Sequence, residues 1–364
     1  MKYRKHHLFY PILFCLFYAC TFHTKTPEAD KTLHIRSTDF TDWASLLHIE
    51  EITPLGENSD SLLSVAQKCL INDERFLFWD FKMKCVYAYD RQGNFLFTIG
   101  RQGGAEFECA DLRDIYLGKT KIELLDATGI LVFDAKDGHF MEKKKLAETN
   151  TAEYFKFQPL EDNQYLLFSP DKEYTVYRWA DGKLTGLQER KGHQLITNHF
   201  QLYGNECLIY PDYGHFVVQA YANGTLRPKY FLDFGSKAFP LRQLPQNGAQ
   251  FEQTDSWPEY FKSVTELRES DKWLYAKVVG PEQTYYDILY DKSSDRLWAG
   301  STDLDLGLIL IDVEGDCFYG LIYPEYLAED CAWYDTLKGS MPEGRESNPV
   351  LVKLTVNECD FLFP

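Results

Sequence analysis

The sequence predicts an all-β protein, a six-bladed β-propeller whose blades are four-stranded antiparallel sheets. Three observations carry that prediction. Aromatic side chains, which favour strands, make up 16% of the 364 residues. Apolar and polar residues alternate in short runs between turn signals, and no long amphipathic helical window interrupts them. One strand–turn–strand–turn–strand unit then recurs at a nearly constant interval.

The unit is clearest at 75–80, 85–90 and 95–99, with a turn at Gln92-Gly93. It returns at 121–126, 131–134 and Phe140 with a turn at Asp137-Gly138, and again at 165–168, 175–179 and Leu184 with Asp181-Gly182. A fourth copy runs through 207–210, 216–221 and Leu226 with Asn223-Gly224. The turn glycines 93, 138, 182 and 224 stand 45, 44 and 42 residues apart, the period of a propeller blade. A fifth copy at 273–277, 286–291 and 297–298 follows a Pro- and Gln-rich stretch, 239–258, which reads as a long loop on one face. The sixth, 308–311 and 317–319, is interrupted by a polar insertion at 329–348 and ends at 349–356. The early strand 48–52 has no blade of its own. It is expected to pair with the C-terminal strands and close the ring, so that no long sheet edge is exposed.

The chain opens with Lys2, Arg4 and Lys5, followed by an apolar stretch from Leu8 to Ala19. Such a stretch is too short for a membrane-spanning helix, which needs about 20 residues, and reads as a secretion signal over 1–19. It ends in Leu16-Phe17-Tyr18-Ala19-Cys20, which resembles the bacterial lipobox; Phe17 departs from the usual Leu. Cys20 is therefore the expected lipid-attachment residue and the membrane partner is expected to be reached through that lipid. Residues 20–45 read as a tether and 46–364 as the propeller.

Loss of the three leader cations takes the formal charge from −17 to about −20, which argues against nucleic acid as a partner. After Cys15 and Cys20, seven cysteines remain and none stands at C-x-x-C spacing. A zinc site is unsupported, no other metal or cofactor is expected, and Cys317 with Cys331 is the first pair to test for a disulfide, free buried thiols being the alternative.

The segment Phe97-Thr98-Ile99-Gly100-Arg101-Gln102-Gly103-Gly104-Ala105-Glu106-Phe107 resembles the IGRQGxGPGEF signature of the six-bladed β-propeller lipoproteins of Bacteroidota, distant relatives of NHL-repeat propellers. Further similar phrases are 52–55, 230–235 with Pro240, 302–305 and 348–353, so the resemblance spans nearly the whole mature chain. It implies an outer-membrane lipoprotein of the cell envelope. The residues after Cys20 lack an acidic run, which favours the periplasmic side over the cell surface. The Gly-Pro pair of the signature is missing here, which shortens the loop.

No local motif announces catalysis: there is no Gly-x-Ser-x-Gly elbow and no Cys-His pairing. Gly100 to Gly104 offers backbone N–H groups to an anion but lacks the Lys-Ser/Thr of a phosphate loop, so an inter-blade turn is the better reading. Residues 303–307 with Glu314 bear a passing likeness to a calcium loop with misplaced ligands, and a structural turn is favoured. His193, His199 and His215 with Asp212 fall close together in sequence, although ordinary turn histidines account for them. Among Trp257, Tyr260, Trp273 and Trp298, strand aromatics read as packing, while Trp257 and Tyr260 lie beside a loop and are candidate stacking platforms. Arg101 joins them as a candidate binding residue. The expected role is a binding module for a glycan, peptide or envelope protein rather than an enzyme. The alternatives are a polysaccharide or lactone lyase or hydrolase at the central channel mouth, and a structural subunit of a larger assembly.

Overall fold

A computed structural model of the chain describes residues 27–36, 46–56, 62–147, 149–301, 308–323, 327, 329, 333–340 and 348–356. Two strands precede the first blade, β1 (Lys31–His34) and β2 (Leu47–Pro54). Blade 1 is β3 (Ala66–Ile71), β4 (Arg75–Asp80), β5 (Cys85–Asp90) and β6 (Phe95–Ile99). Blade 2 is β7 (Leu112–Leu117), β8 (Lys121–Asp126), β9 (Gly129–Asp134) and β10 (Phe140–Lys144). Blade 3 follows as β11 (Lys156–Pro159), β12 (Tyr165–Phe168), β13 (Tyr174–Ala180) and β14 (Lys183–Glu189), and blade 4 as β15 (Phe200–Tyr203), β16 (Glu206–Ile209), β17 (Val217–Ala222) and β18 (Thr225–Asp233). Blade 5 comprises β19 (Ser263–Glu269), β20 (Trp273–Val279), β21 (Tyr285–Asp291) and β22 (Arg296–Ser301). Blade 6 takes β23 (Leu308–Glu314), β24 (Cys317–Ile322) and β25 (Val350–Val356) from the C-terminal part and β2 as its outermost strand.

The six-bladed propeller read from the turn spacing is the observed fold, and the inferred closure is the observed one. β2 runs antiparallel to β25 from Leu47↔Val356 to Pro54↔Val350. The closure is locked by Asn348, fully buried, whose Oδ1 accepts from the Leu63 N–H at 2.6 Å and whose Nδ2 donates to the Gly56 carbonyl at 3.1 Å. The first strand of each blade is innermost, and β3, β7, β11, β15, β19 and β23 contact one another in cyclic order around the axis.

Strand alternation explains the core. In β4, Phe76 and Phe78 face blade 6, while Leu77 and Trp79 face blade 2. The second strands are therefore buried on both sides, which is why they read as continuous apolar runs. The apolar clusters of the core each straddle one pair of neighbouring blades, and together they close the circle.

Residues 31–34, inside the stretch expected to be tether, form a fifth strand on blade 4, β1 pairing in parallel with β18. The stretch expected as a long loop holds a two-turn helix, α1 (Gly248–Asp255), capped by Asn247, whose side chain accepts from the Gln250 N–H at 3.0 Å. Lys262, wholly buried, donates from Nζ to the Asp255 carbonyl at the other end of that helix. No helix of the described residues is long and apolar enough to cross a membrane.

Candidate functional site

The two faces of the ring differ. On one, the connections within blades are tight turns such as 72–74, 91–94, 181–182 and 223–224. On the other lie the connections between blades, including 100–111, 190–199 and 234–262. The exposed large apolar side chains outside strands, Leu62, Val65, Phe81, Met83, Phe107, Ile196 and Leu241, are all on the loop-bearing face, Phe81 and Met83 in the turn 81–84 and the rest in connections between blades, while Leu96, Met141, Leu202, Tyr285 and Ile309 are exposed on strands.

The glycine-rich connection 100–111 shows why it does not cradle an anion. Gly100 has φ +63°, and a Cβ there would stand 2.5 Å from Leu124 Cδ1 of the next blade, so the position requires glycine. The Gly103 N–H donates to the Cys109 carbonyl at 3.0 Å and the Cys109 N–H to the Arg101 carbonyl at 3.0 Å. Glu108 folds back so that its Oε2 accepts from the Ala105 N–H at 2.8 Å. A carboxylate of the chain itself thus sits where a phosphate would have to bind. The loop is an inter-blade turn, and it separates two depressions. One, of about 80 Å³, is walled by Trp79, Phe81, Lys84, Gln102 and Cys109. The other, of about 660 Å³, is lined by Gly103, Gly104, Glu106, Glu108, Thr128, Lys143 and Lys145. The Arg101 side chain is exposed at the start of this loop.

The second prominent feature is the 234–262 connection. Phe239, almost fully buried, stacks on Trp257 with ring centroids 5.9 Å apart and meets Tyr260 edge-on at 6.0 Å. Tyr213 packs on both Phe239 and Phe251 at 5.3 Å, and Phe234 stacks on Phe261 at 4.1 Å, so the connection is pinned to the ring by aromatic contacts. Trp257 and Tyr260 remain half-buried at its surface. Trp273 and Trp298, the other two sequence candidates, belong to the packing between blades 5 and 6 and present no platform.

A third feature escaped sequence reasoning: the inner strands deliver polar residues to the rim of the channel at equivalent positions. β3, β7, β19 and β23 each carry an irregularity in register at Gln67, Arg113, Thr265 and Ile311, immediately followed by Lys68, Asp114, Glu266 and Asp312. A bulge re-aims the residue beside it and sharpens the twist. Lys156, opposite Phe168, occupies the corresponding register position in blade 3, and His199, whose carbonyl accepts from the Tyr210 N–H, stands one residue before β15 in blade 4.

These groups pair across blades. Lys68 Nζ lies 2.8 Å from Asp114 Oδ1 and Lys156 Nζ 3.8 Å from it, while Asp114 Oδ2 accepts from the Phe157 N–H at 3.0 Å. Arg268 lies 3.1 Å from Glu266 Oε2 and 3.7 Å from Asp312 Oδ1, donates through Nε to the Ile311 carbonyl, and through Nη1 to Tyr210 Oη. Asn198 Nδ2 donates to Glu266 Oε1 at 2.7 Å. Burial pushes the Asp312 carboxyl up and the Lys156 amine down, the latter against the attraction of Asp114. The His199 ring lies on Phe168 at 3.6 Å between centroids, and neither of its nitrogens has a hydrogen-bond partner among the described residues. Burial lowers its pKa to about 3 and that of His215 to about 4.

The histidine group of the sequence does not assemble as a metal site. His199 is buried, His215 is half-buried with its Nε2 away from solvent, and His193 lies tilted against Phe251 at 4.9 Å. Asp212 is engaged by Gln188 Nε2 at 2.9 Å, and burial raises its pKa to about 7. Three side chains of ligand type do meet in a tight turn, Asp134, Asp137 and His139, with His139 Nδ1 2.7 Å from Asp137 Oδ1. Cys69, Cys85, Cys109, Cys207 and Cys317 are free thiols. Cys20, Cys331, Cys359 and residues 302–307, and with them the lipid-attachment and calcium-like readings, lie outside the described residues.

Among solved structures, the chain is similar to a protein of Bacteroides fragilis NCTC 9343 described as exported, at TM-score 0.72 and 14% identity, over 90% of this chain and 100% of that one. It is also similar to a member of the DUF4221 family from Bacteroides vulgatus ATCC 8482, at TM-score 0.57 and 8% identity, over 86% of this chain and 99% of that one. At such identities the likeness speaks for the fold alone. No curated protein matches the sequence. The family described as a domain of unknown function, DUF4934, matches residues 48–355, from the closing strand β2 to the last blade strand, and the chain belongs to that family.

Proposed function

We propose that the protein is a lipid-anchored envelope binding module that takes a glycan, peptide or partner protein on its loop-bearing face. The observation that carries this reading is the asymmetry of the ring. Inter-blade connections, the exposed apolar side chains outside strands and both depressions beside the 100–111 loop share one face, and the other has short turns within blades. Flat rings with a polar edge, such as half-buried Trp257 and Tyr260, suit sugar or peptide faces, and exposed Arg101, three blades away around the ring in the 100–111 connection, offers a separate planar donor on the same face. The placement in the envelope rests on the leader, on Cys20 and on a fold shared with an exported protein. The test is a glycan- and peptide-array screen with the secreted chain. A hit weakened about tenfold or more, equivalent to about 1.4 kcal/mol, by Trp257→Ala or Arg101→Ala supports the reading. Hits indifferent to both, and to Tyr260→Ala, contradict it.

A second reading, a lyase or hydrolase at the channel mouth, is favoured by the convergence of Glu266, Arg268 and Asp312. Asp312, with its raised pKa, would be the proton donor and Glu266 the base. Against it, these acids are already engaged by Arg268 and Asn198, as expected of an interblade clasp. Cleavage of any polysaccharide or lactone that is lost in Asp312→Asn would establish the enzyme.

A further inference from the structure

We infer that the N-terminal segment fixes the orientation of the propeller, so that the loop-bearing face looks away from the membrane that holds the lipid. This rests on the reading of Cys20 as the attachment residue.

Strand β1 is built into the fold. Lys31 to His34 pair with Tyr230 to Asp233 in parallel. Leu33 is 2% exposed and belongs to the apolar cluster of blades 4 and 5, and the Ile35 N–H donates to the Asp233 carbonyl at 2.9 Å. Asp30 is paired with Arg227, and Lys31 Nζ reaches Asp295 Oδ1 at 2.5 Å in the tight turn after β21. The amine also stands 5.4 Å over the Tyr290 ring.

Direction follows from the partner strand. β18 starts at the tight turn 223–224 and ends at Asp233, where the inter-blade connection of the loop-bearing face begins. Because β1 is parallel to it, Lys31 lies toward the tight turns and His34 toward the loops. The preceding chain therefore meets the propeller from the tight-turn side.

Length restricts the alternative. Residues 21–29 separate Cys20 from the Asp30–Arg227 contact, and nine residues span at most about 30 Å. Strand β1 begins opposite Tyr230, with three residues of β18 left, the last of them Asp233. To bring the loop-bearing face to the bilayer, the tether would have to reverse at Asp30, run back about 10 Å along the blade and still clear the inter-blade connections, whereas toward the tight turns it needs no reversal.

The test uses the full lipidated protein in vesicles that carry an acceptor dye on the lipid headgroup. A donor fluorophore is placed through a non-natural residue at position 225, in the tight turn of blade 4, or at position 252, on α1. Both sites are exposed. Energy transfer is expected to be severalfold greater from 225. Leu33→Asp, which puts a carboxylate into the apolar cluster and releases β1, is expected to lower that contrast toward unity without detaching the protein. Circular dichroism confirms that the blades stay folded. If β1 proves inseparable from the blade, the wild-type comparison alone decides. Equal transfer from both positions, or more from 252, with attachment still dependent on Cys20, overturns the orientation and leaves the anchor standing. Attachment that is indifferent to Cys20→Ala overturns both.

Discussion

Asp114 joins three blades, and its removal gives the sharpest energetic prediction. Its side chain is 1% exposed and faces Lys68 of blade 1 and Lys156 of blade 3, whose side chains are 11% and 5% exposed. It also accepts from the Phe157 N–H. Asp114→Ala strands two poorly hydrated ammonium groups and one backbone donor. Breaking a buried pair from one side costs about 3–5 kcal/mol, and the orphaned N–H places this case toward the upper end. In urea, with an m value of about 3 kcal/mol/M, the midpoint followed by tryptophan fluorescence is expected to fall by about 1–2 M. The triple replacement Asp114→Leu, Lys68→Met, Lys156→Met leaves no charge behind and is expected to recover most of the loss. A cost below about 1 kcal/mol, the scale of a solvent-exposed pair, would refute the view of the channel rim as a buried clasp.

Other outcomes follow from the same geometry. His199 stays neutral in the fold down to about pH 3, whereas the unfolded chain takes up the proton below its ordinary 6.5. The stability tied to its neutrality is complete above pH 6.5 and is lost as pH falls, by about 2 kcal/mol at pH 5. In His199→Phe the difference between unfolding midpoints at pH 7 and 5 should shrink by that amount, and an unchanged difference would mean that the ring is not buried neutral. Asp212 has the opposite sign. Its pKa of about 7 means the fold retains a proton that the unfolded chain releases above its ordinary 3.8, so its ionisation costs stability as pH rises through that window. Asp212→Asn should therefore stabilise by on the order of 4 kcal/mol at pH 8 and by less than half of that at pH 5, read from the same urea titrations. Gly93→Ala is expected to cost more than about 2 kcal/mol, because at φ +83° its Cβ would lie 2.4 Å from the Pro54 carbonyl oxygen and lever the closing strand β2 from its neighbour.

The architecture was legible where the physics is local and repetitive. Glycines 93, 138, 182 and 224 adopt positive φ in the fold, so their spacing recorded the blades directly. The buried second strands showed themselves as apolar runs, and 48–52 betrayed the closure because it lacked a partner nearby. The inner strands were not read, because their midpoints carry Lys68, Asp114, Glu266 and Asp312 where alternation calls for apolar residues. Their equivalence depends on bulges and on partners in the next blade, tens of residues away, which a single sequence does not display. Strand β1 was lost for the same reason: four residues of polar appearance are a strand only because blade 4 offers them an edge and a pocket for Leu33. On the candidate site, sequence placed Trp257 in a loop region but gave no hint that Phe239 would cover one of its faces, nor that Glu108 would occupy the glycine loop.

The loop-bearing face is the expected site of ligand contact. Hydrogen–deuterium exchange of the protein with and without the strongest array hit, at saturation, measures this directly. Slowed exchange confined to the loop-bearing face, in 100–111, 81–84 and 239–260, is the expected result. Protection in the tight turns at 91–94, 181–182 and 223–224, or only at the channel rim around Glu266 and Asp312, would contradict it.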